Sequence, residues 1–154
     1  MALEIERKFL VHGSPWITLP QGALMQQGYL LASPARVVRV RIEGEQAMLT
    51  IKGAMEGIVR GEWEYPIPLI DAAELLKLCE QPLIEKYRYR IPYAGMLWEL
   101  DVFIGDNAGL VVAEIELDSA TQTFQKPDWI AEEVTHDARY LNSNLLRHPY
   151  SSWA

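Results

Sequence analysis

Glu4, Glu6 and Lys8 occupy alternate positions in Glu4-Ile5-Glu6-Arg7-Lys8. On a β-strand, alternate side chains share one face, so these three point one way while Leu3, Ile5 and Phe9 point the other. Two carboxylates about 7 Å apart along a strand suit a divalent cation, and a lysine beside them suits an anion. A single such strand reads equally well as a half-exposed strand with a solvated face. The pattern, however, recurs. Arg39 and Arg41 alternate with Val38, Val40 and Ile42, and Thr50 and Lys52 with Leu49 and Ile51. Arg60, Glu62 and Glu64 alternate with Val59, Trp63 and Tyr65. Lys86, Arg88 and Arg90 alternate with Tyr87, Tyr89 and Ile91; Glu99 and Asp101 with Trp98, Leu100 and Val102; Glu114 and Glu116 with Ile115 and Leu117.

The elements that must position these residues are mostly strands. The pattern predicts strands over 3–11, 23–31, 36–43, 47–52, 58–65, 83–91, 96–104 and 110–118, joined mainly by Gly-containing hairpin turns. Pro66 and Pro68 stop the fifth. Asp71-Ala72-Ala73-Glu74 has capping-box spacing, which predicts a helix with Asp71 as its N-cap, running through Cys79 and ending before Pro82. Ser14 with Pro15 suggests a short helical turn. The segment 126–130 reads as a connector, and one or two helical turns are expected between Asp137 and Arg147. The expected class is α+β, mainly β, as one domain over residues 1–154.

Eight strands suffice to close an antiparallel barrel. Two arrangements are open: charged faces towards bulk water, or a curled sheet with the charges lining its interior. The second fits better. Charges sit on one face of nearly every strand, and the other faces hold Trp63, Trp98, Tyr87 and Tyr89. The few predicted helical residues are too few to cover that apolar surface, which also suggests a homodimer. An interior holding this many acids and bases demands a ligand, because buried charges must be compensated. A polyanion arriving with divalent cations satisfies both signs at once.

The ordered series Glu4-x-Glu6-x-Lys8, Arg39-Val-Arg41, Thr50-Ile-Lys52, Arg60-Gly-Glu62-Trp-Glu64, Lys86-Tyr-Arg88 and Glu114-Ile-Glu116 resembles the CYTH family, also called the triphosphate tunnel metalloenzymes. The likeness extends to the Asn-Ser-Asn-Leu stretch near the C-terminus. It implies an eight-stranded closed antiparallel β-barrel with a few peripheral helices. It implies hydrolysis of a triphosphate with Mg2+ or Mn2+, with inorganic tripolyphosphate giving pyrophosphate and phosphate as the leading reading. Thiamine triphosphate hydrolysis, a CYTH-type adenylate cyclase and a non-catalytic polyphosphate or nucleotide binder are the alternatives. By this resemblance Glu114 and Glu116 hold a substrate-bound metal, Glu4 and Glu6 position a second metal or the attacking water, and Glu62 and Glu64 complete the acidic set. Lys8, Arg39, Arg41, Arg60, Lys86 and Arg88 grip phosphates, and Tyr29 pairs with Lys52 near the water or leaving group. Glu99, Asp101 and Arg90 receive no role.

Bulk properties narrow the classes further. A net charge of −7 argues against a general nucleic-acid surface. Cys79 is the only cysteine, which excludes an intrachain disulfide and suggests a reducing compartment. The N-terminus lacks the features of a signal peptide, and no apolar run approaches a membrane span, so a soluble cytoplasmic protein is expected. There is no phosphate-binding Gly-x-x-x-x-Gly-Lys loop, no Gly-x-Ser-x-Gly elbow, and no metal-ligand spacing among His12, His136 and His148.

Overall fold

The computed structural model describes residues 2–153. Eight antiparallel strands close on themselves: β1 (Leu3–Val11), β2 (Ala23–Ala32), β3 (Val37–Glu43), β4 (Gln46–Lys52), β5 (Val59–Pro66), β6 (Ile84–Tyr93), β7 (Met96–Phe103) and β8 (Val111–Glu116). Around the ring they run β5-β4-β3-β2-β6-β7-β8-β1, and β1 returns to β5. Hairpin neighbours pair directly, whereas β2 reaches β6 across the helix-bearing connection.

Strand β1 closes the barrel by serving three partners. One edge runs along β8, with Glu6 opposite Glu116 and Lys8 opposite Glu114. The other edge pairs Leu3–Ile5 with Gly61–Val59 of β5, then Phe9 and Val11 with a ninth strand, β9 (Ile130–Glu133). This short strand lies at the end of the expected connector. Its backbone is held further by Val134 N–H donating to the Lys8 carbonyl at 2.8 Å.

The strand alternation that places charges inside also fills one end of the barrel with carbon. Tyr29 lies two residues from Gln27, Val37 two from Arg39, Ile84 two from Lys86, Phe103 two from Asp101 and Val112 two from Glu114. These five share the inward phase and are buried together with Leu145 and Leu146 of α2 (Asn142–Arg147). The C-terminal helical turns expected between Asp137 and Arg147 therefore dock into the barrel's end.

Outside, α1 (Leu69–Leu78) covers β3 and β4, with Ala72, Leu76 and Cys79 against Val40 and Ala47. Gly28 lets this layer approach: a Cβ there would stand 2.6 Å from that of Cys79. The helix starts at Leu69, two residues before the expected Asp71 cap, with Pro68 as N-cap and no side-chain cap. Proline already lacks the N–H that a first-turn residue leaves unbonded, so the turn forms early and Asp71 sits inside it, favoured by the helix dipole. A largely non-helical segment covers another face: Phe124, Trp129 and Ile130 pack on Phe9, Trp98 and Ile115. Trp98 is thus fully buried, whereas Trp63 and Tyr65 stay about half exposed on the bare face of β5. Residues 15–18 form a turn, with Ile17 N–H donating to the Ser14 carbonyl, and not a helix.

Candidate active site

Above the apolar end lies a cavity of about 310 Å³. One wall is cationic. Arg39 and Arg41 of β3 and Arg88 of β6 line it. The opposite wall is acidic, with Glu4 and Glu6 of β1, Glu62 and Glu64 of β5, and Glu114 and Glu116 of β8. Lys52 of β4 crosses to the acidic wall, with Nζ 3.0 Å from Glu4 Oε1 and 3.3 Å from Glu62 Oε2. Glu43, Gln46, Met48, Arg90, Glu99 and Asn142 complete the lining, and Met48 is its sole apolar side chain.

The cationic wall is only partly neutralised. Arg88 is held by Asp101 through two hydrogen bonds of 2.8 and 2.9 Å and by Glu99 at 3.1 Å; despite burial, these carboxylates raise its pKa well above normal. Arg39 lies 3.7 Å from Glu64 and is also joined to it through Thr50: Nη2 donates to Thr50 Oγ1 at 3.3 Å, and that hydroxyl donates to Glu64 at 3.1 Å. Arg41 donates from Nε to the neutral Gln27 at 2.9 Å. Burial, with Arg39 and Arg88 nearby, lowers its pKa to about 9. A guanidinium so disfavoured is a site awaiting an anion.

The acidic wall shows the converse. Burial raises the Glu4 pKa, although Lys52 opposes it. Burial, with repulsion from Glu114 and Glu4, raises Glu6 well above the ordinary carboxylate range. Burial and neighbouring acids also raise Glu116. Glu114 resists its own burial because Lys8, a hydrogen bond with Glu6, and Arg88 hold its pKa well down. Glu6 and Glu114 are thus pushed in opposite directions. A cation among these crowded carboxylates would relieve the wall.

Ten expected site residues line this cavity: Glu4, Glu6, Arg39, Arg41, Lys52, Glu62, Glu64, Arg88, Glu114 and Glu116. The other four lie elsewhere. Lys8 and Arg60 line a smaller cavity, about 30 Å³, behind Glu4 and Glu6, large enough for one or two waters. Lys8 Nζ donates to the Tyr140 carbonyl at 2.9 Å and lies 3.5 Å from Glu114, whereas Arg60 is turned onto the Gly53 carbonyl. Lys86 is fully buried, 2.7 Å from Asp101 and over the Phe103 ring. Its pKa falls to about 7, because burial dominates and Arg88 competes for the same carboxylate. Asp101, between two cations, overcomes its burial and falls to about 2. Tyr29 sits in the apolar cluster and its hydroxyl accepts from Gln27 at 3.1 Å, while Lys52 is engaged by Glu4 and Glu62. Among the described residues Tyr29 and Lys52 share no hydrogen bond.

The structure adds Gln27, Thr50, Asp101 and Asn142. Thr50 and Asp101 lie in phase with charged neighbours on their own strands, whereas Gln27 shares its phase only with Tyr29 and other uncharged residues of β2. Asn142 had no signal in sequence.

A CYTH domain model matches residues 2–150. The chain belongs to the CYTH domain family. An inorganic triphosphatase of Acetivibrio thermocellus is 49% identical over 154 residues, covering 99% of both chains. An inorganic triphosphatase of Nitrosomonas europaea is 38% identical over 151 residues, covering 92% of this chain and 95% of that one. A crystal structure of an inorganic triphosphatase superposes with a TM-score of 0.66 at 37% identity, covering 95% of each chain. The expected barrel is thus the family's fold, with β9 added at its edge. No helix among the described residues is long and apolar enough to cross a membrane.

Proposed function

We propose that this chain hydrolyses inorganic tripolyphosphate to pyrophosphate and orthophosphate. The observation that carries the reading is the mismatch between the walls of one cavity: a buried, like-charge-crowded Arg41 faces crowded carboxylates that burial pushes towards protonation. A triphosphate with divalent cations neutralises both. The near-absence of apolar lining favours an inorganic substrate, since a nucleobase or thiazole ring would find Met48 and no aromatic platform.

Arg39, Arg41 and Arg88 would bind phosphate oxygens, with Arg88 locked in orientation by Asp101 and Glu99. Lys52 fixes Glu4, and Glu4 with Glu6 stands between the main cavity and the small water-sized one, where a water can be oriented towards phosphorus. In hydrolysis that water's oxygen bonds to a terminal phosphorus while the bridging P–O bond breaks, leaving pyrophosphate. Among the described residues no three carboxylates are gathered as a ready metal cage. Mg2+, or Mn2+, takes one or two protein carboxylates and fills its remaining positions with water and phosphate oxygens. Glu114 and Glu116 are the pair to hold it, with Glu62, Glu64, Glu4 and Glu6 within the same wall. The cation would neutralise charge developing on the phosphate oxygens.

Phosphate release from tripolyphosphate, thiamine triphosphate and ATP at one magnesium concentration, with cyclic AMP measured alongside, tests the reading. kcat/KM for tripolyphosphate should exceed that for ATP at least about 100-fold, roughly 2.7 kcal/mol. A preference for ATP, or cyclic AMP with pyrophosphate, would assign the site to a cyclase. We also place the protein in the cytoplasm. The exposed face formed by Leu3, Ile51, Trp63 and Tyr65 is the one a homodimer would use. Sedimentation of the whole chain checks this, and a monomer ends the dimer reading.

A further inference from the structure

We infer that Asn142 is a substrate-contacting residue, its side-chain amide donating to an oxygen of the phosphate that enters the cavity first; this rests on the tripolyphosphate reading above. All the other residues lining the main cavity come from barrel strands, and Asn142 alone comes from the C-terminal segment. It begins α2, whose Leu145 and Leu146 belong to the apolar cluster that fills the barrel's closed end. It therefore marks how deep an inserted polyphosphate can go. Its place is fixed from two sides, by that packing and by Lys8 holding the Tyr140 carbonyl at 2.9 Å.

The asparagine's own bonding sets it apart from its neighbour. Asn144, two residues further on in the same turn, donates from Nδ2 to the Ala138 carbonyl at 2.7 Å and so is committed to the fold. Among the described residues Asn142 has no side-chain hydrogen-bond partner, and its Oδ1 is buried without a donor. A buried amide oxygen left unpaired is destabilising, so packing does not account for an asparagine there. A ligand does. The amide offers a donor to a phosphate oxygen, while its own oxygen can accept from a bound water. It is also the side chain that adds no charge to a cavity already crowded with both signs. An aspartate would repel the phosphate, and a lysine would be captured by the neighbouring carboxylates.

The test uses the full chain with Asn142→Ala and Asn142→Asp. Tripolyphosphate binding is measured by calorimetry in EDTA, beside KM and kcat with magnesium and thermal denaturation. Asn142→Ala should weaken binding and raise KM about tenfold or more, the scale of a hydrogen bond to a charged group. Its Tm should not fall, because the substitution removes an unpaired buried acceptor. Asn142→Asp should bind more weakly still. If Asn142→Ala does not fold, Asn142→Ser, small enough for the site but too short to reach as far, replaces it with the same expectation. Wild-type binding in Asn142→Ala and Asn142→Asp overturns the inference, and so does a lowered Tm with intact binding, the mark of a purely structural residue. A wild-type chain that neither binds nor hydrolyses tripolyphosphate overturns the substrate reading itself, and that outcome is visible before any variant is made.

Discussion

The acidic and cationic walls of the cavity are built by the same device, a strand alternating charged and apolar residues, yet they differ in what they lack. The cationic wall is braced within the protein: Asp101 holds Lys86 and Arg88, and a threonine relays Arg39 to Glu64. Among the described residues Arg41 is the one cavity arginine without a carboxylate partner, and it donates to the neutral Gln27. The acidic wall is braced at Lys8 and Lys52, and three of its carboxyls, Glu4, Glu6 and Glu116, are pushed towards protonation. One wall is thus nearly a finished structure awaiting an anion, and the other is an unfinished one awaiting cations. The difference implies that substitutions on the cationic side mix stability with binding, whereas those on the acidic side chiefly remove function.

The largest effect should come from the acidic wall. Replacing Glu114 and Glu116 together with glutamine should lower metal-dependent turnover on the order of 1000-fold, about 4 kcal/mol of transition-state stabilisation. The single variants separate the roles. Glu116→Gln relieves repulsion and should leave Tm unchanged or higher. Glu114→Gln strips Lys8 of its carboxylate partner and should lower Tm. Near-normal activity of the double variant at low magnesium would refute the metal assignment.

Asp101→Asn tests the cationic wall as a structure. It leaves Lys86 and Arg88 buried without their shared carboxylate, a loss of about 3–5 kcal/mol, or roughly 10 °C in Tm. Thermal denaturation that moved by only a degree or two would show that the triad is not what holds Arg88 in place. By contrast, Arg39→Ala should act mainly on binding, raising KM by a charged contact of about 1.5–3 kcal/mol, while Lys52→Ala should mainly lower kcat because it releases Glu4. Two variants affected only in KM would count against a catalytic role for Lys52.

The acidic wall should also report its incompleteness through pH. Glu6 has a folded pKa above its unfolded one, so without metal the folded chain holds the extra proton. Stability should then decline as pH rises from the ordinary carboxylate range through the raised value. Magnesium competes with that proton, so the Tm gain on adding it should be larger at pH 8 than at pH 5, by a few degrees. Equal gains at the two pH values would place the cation away from Glu6.

Much of this was legible in the sequence because a strand has a period of two, and that period keeps charges in phase through every barrel strand but β2, which carries none. What was not legible depended on choices made between strands. Tyr29 is in phase with Arg39 and Lys52, but Gln27 lies nearer and takes its hydroxyl. Lys86 is in phase with Arg88, but two residues deeper, where Asp101 and Phe103 enclose it. Strand β9 has four residues, two of them glutamates, too few to show alternation, and it forms because β1 has an open edge above β5. Asn142 enters from a segment whose docking is decided by two leucines further on.

The smallest effect should come from an ion pair on the outside of the same strand that carries Glu6 and Lys8. Arg7 and Glu133 join β1 to β9 through two side-chain hydrogen bonds, and Arg7 lies over the rings of Phe9 and Phe124. The bond to Arg7 holds the Glu133 carboxyl at about 2, which taken at face value resembles the inner pairs. The resemblance is superficial, because both side chains are about one-third exposed and water screens them. Arg7→Ala should therefore cost at most about 1 kcal/mol, most of it from uncovering the two rings, and leave kcat and KM unchanged. Denaturation at low and high salt apportions that loss. The ion-pair share fades with salt, and the ring-packing share does not. A loss approaching that of Asp101→Asn would mean that β9 clamps the barrel shut, and that the inner and outer faces of β1 differ less in energy than their burial implies.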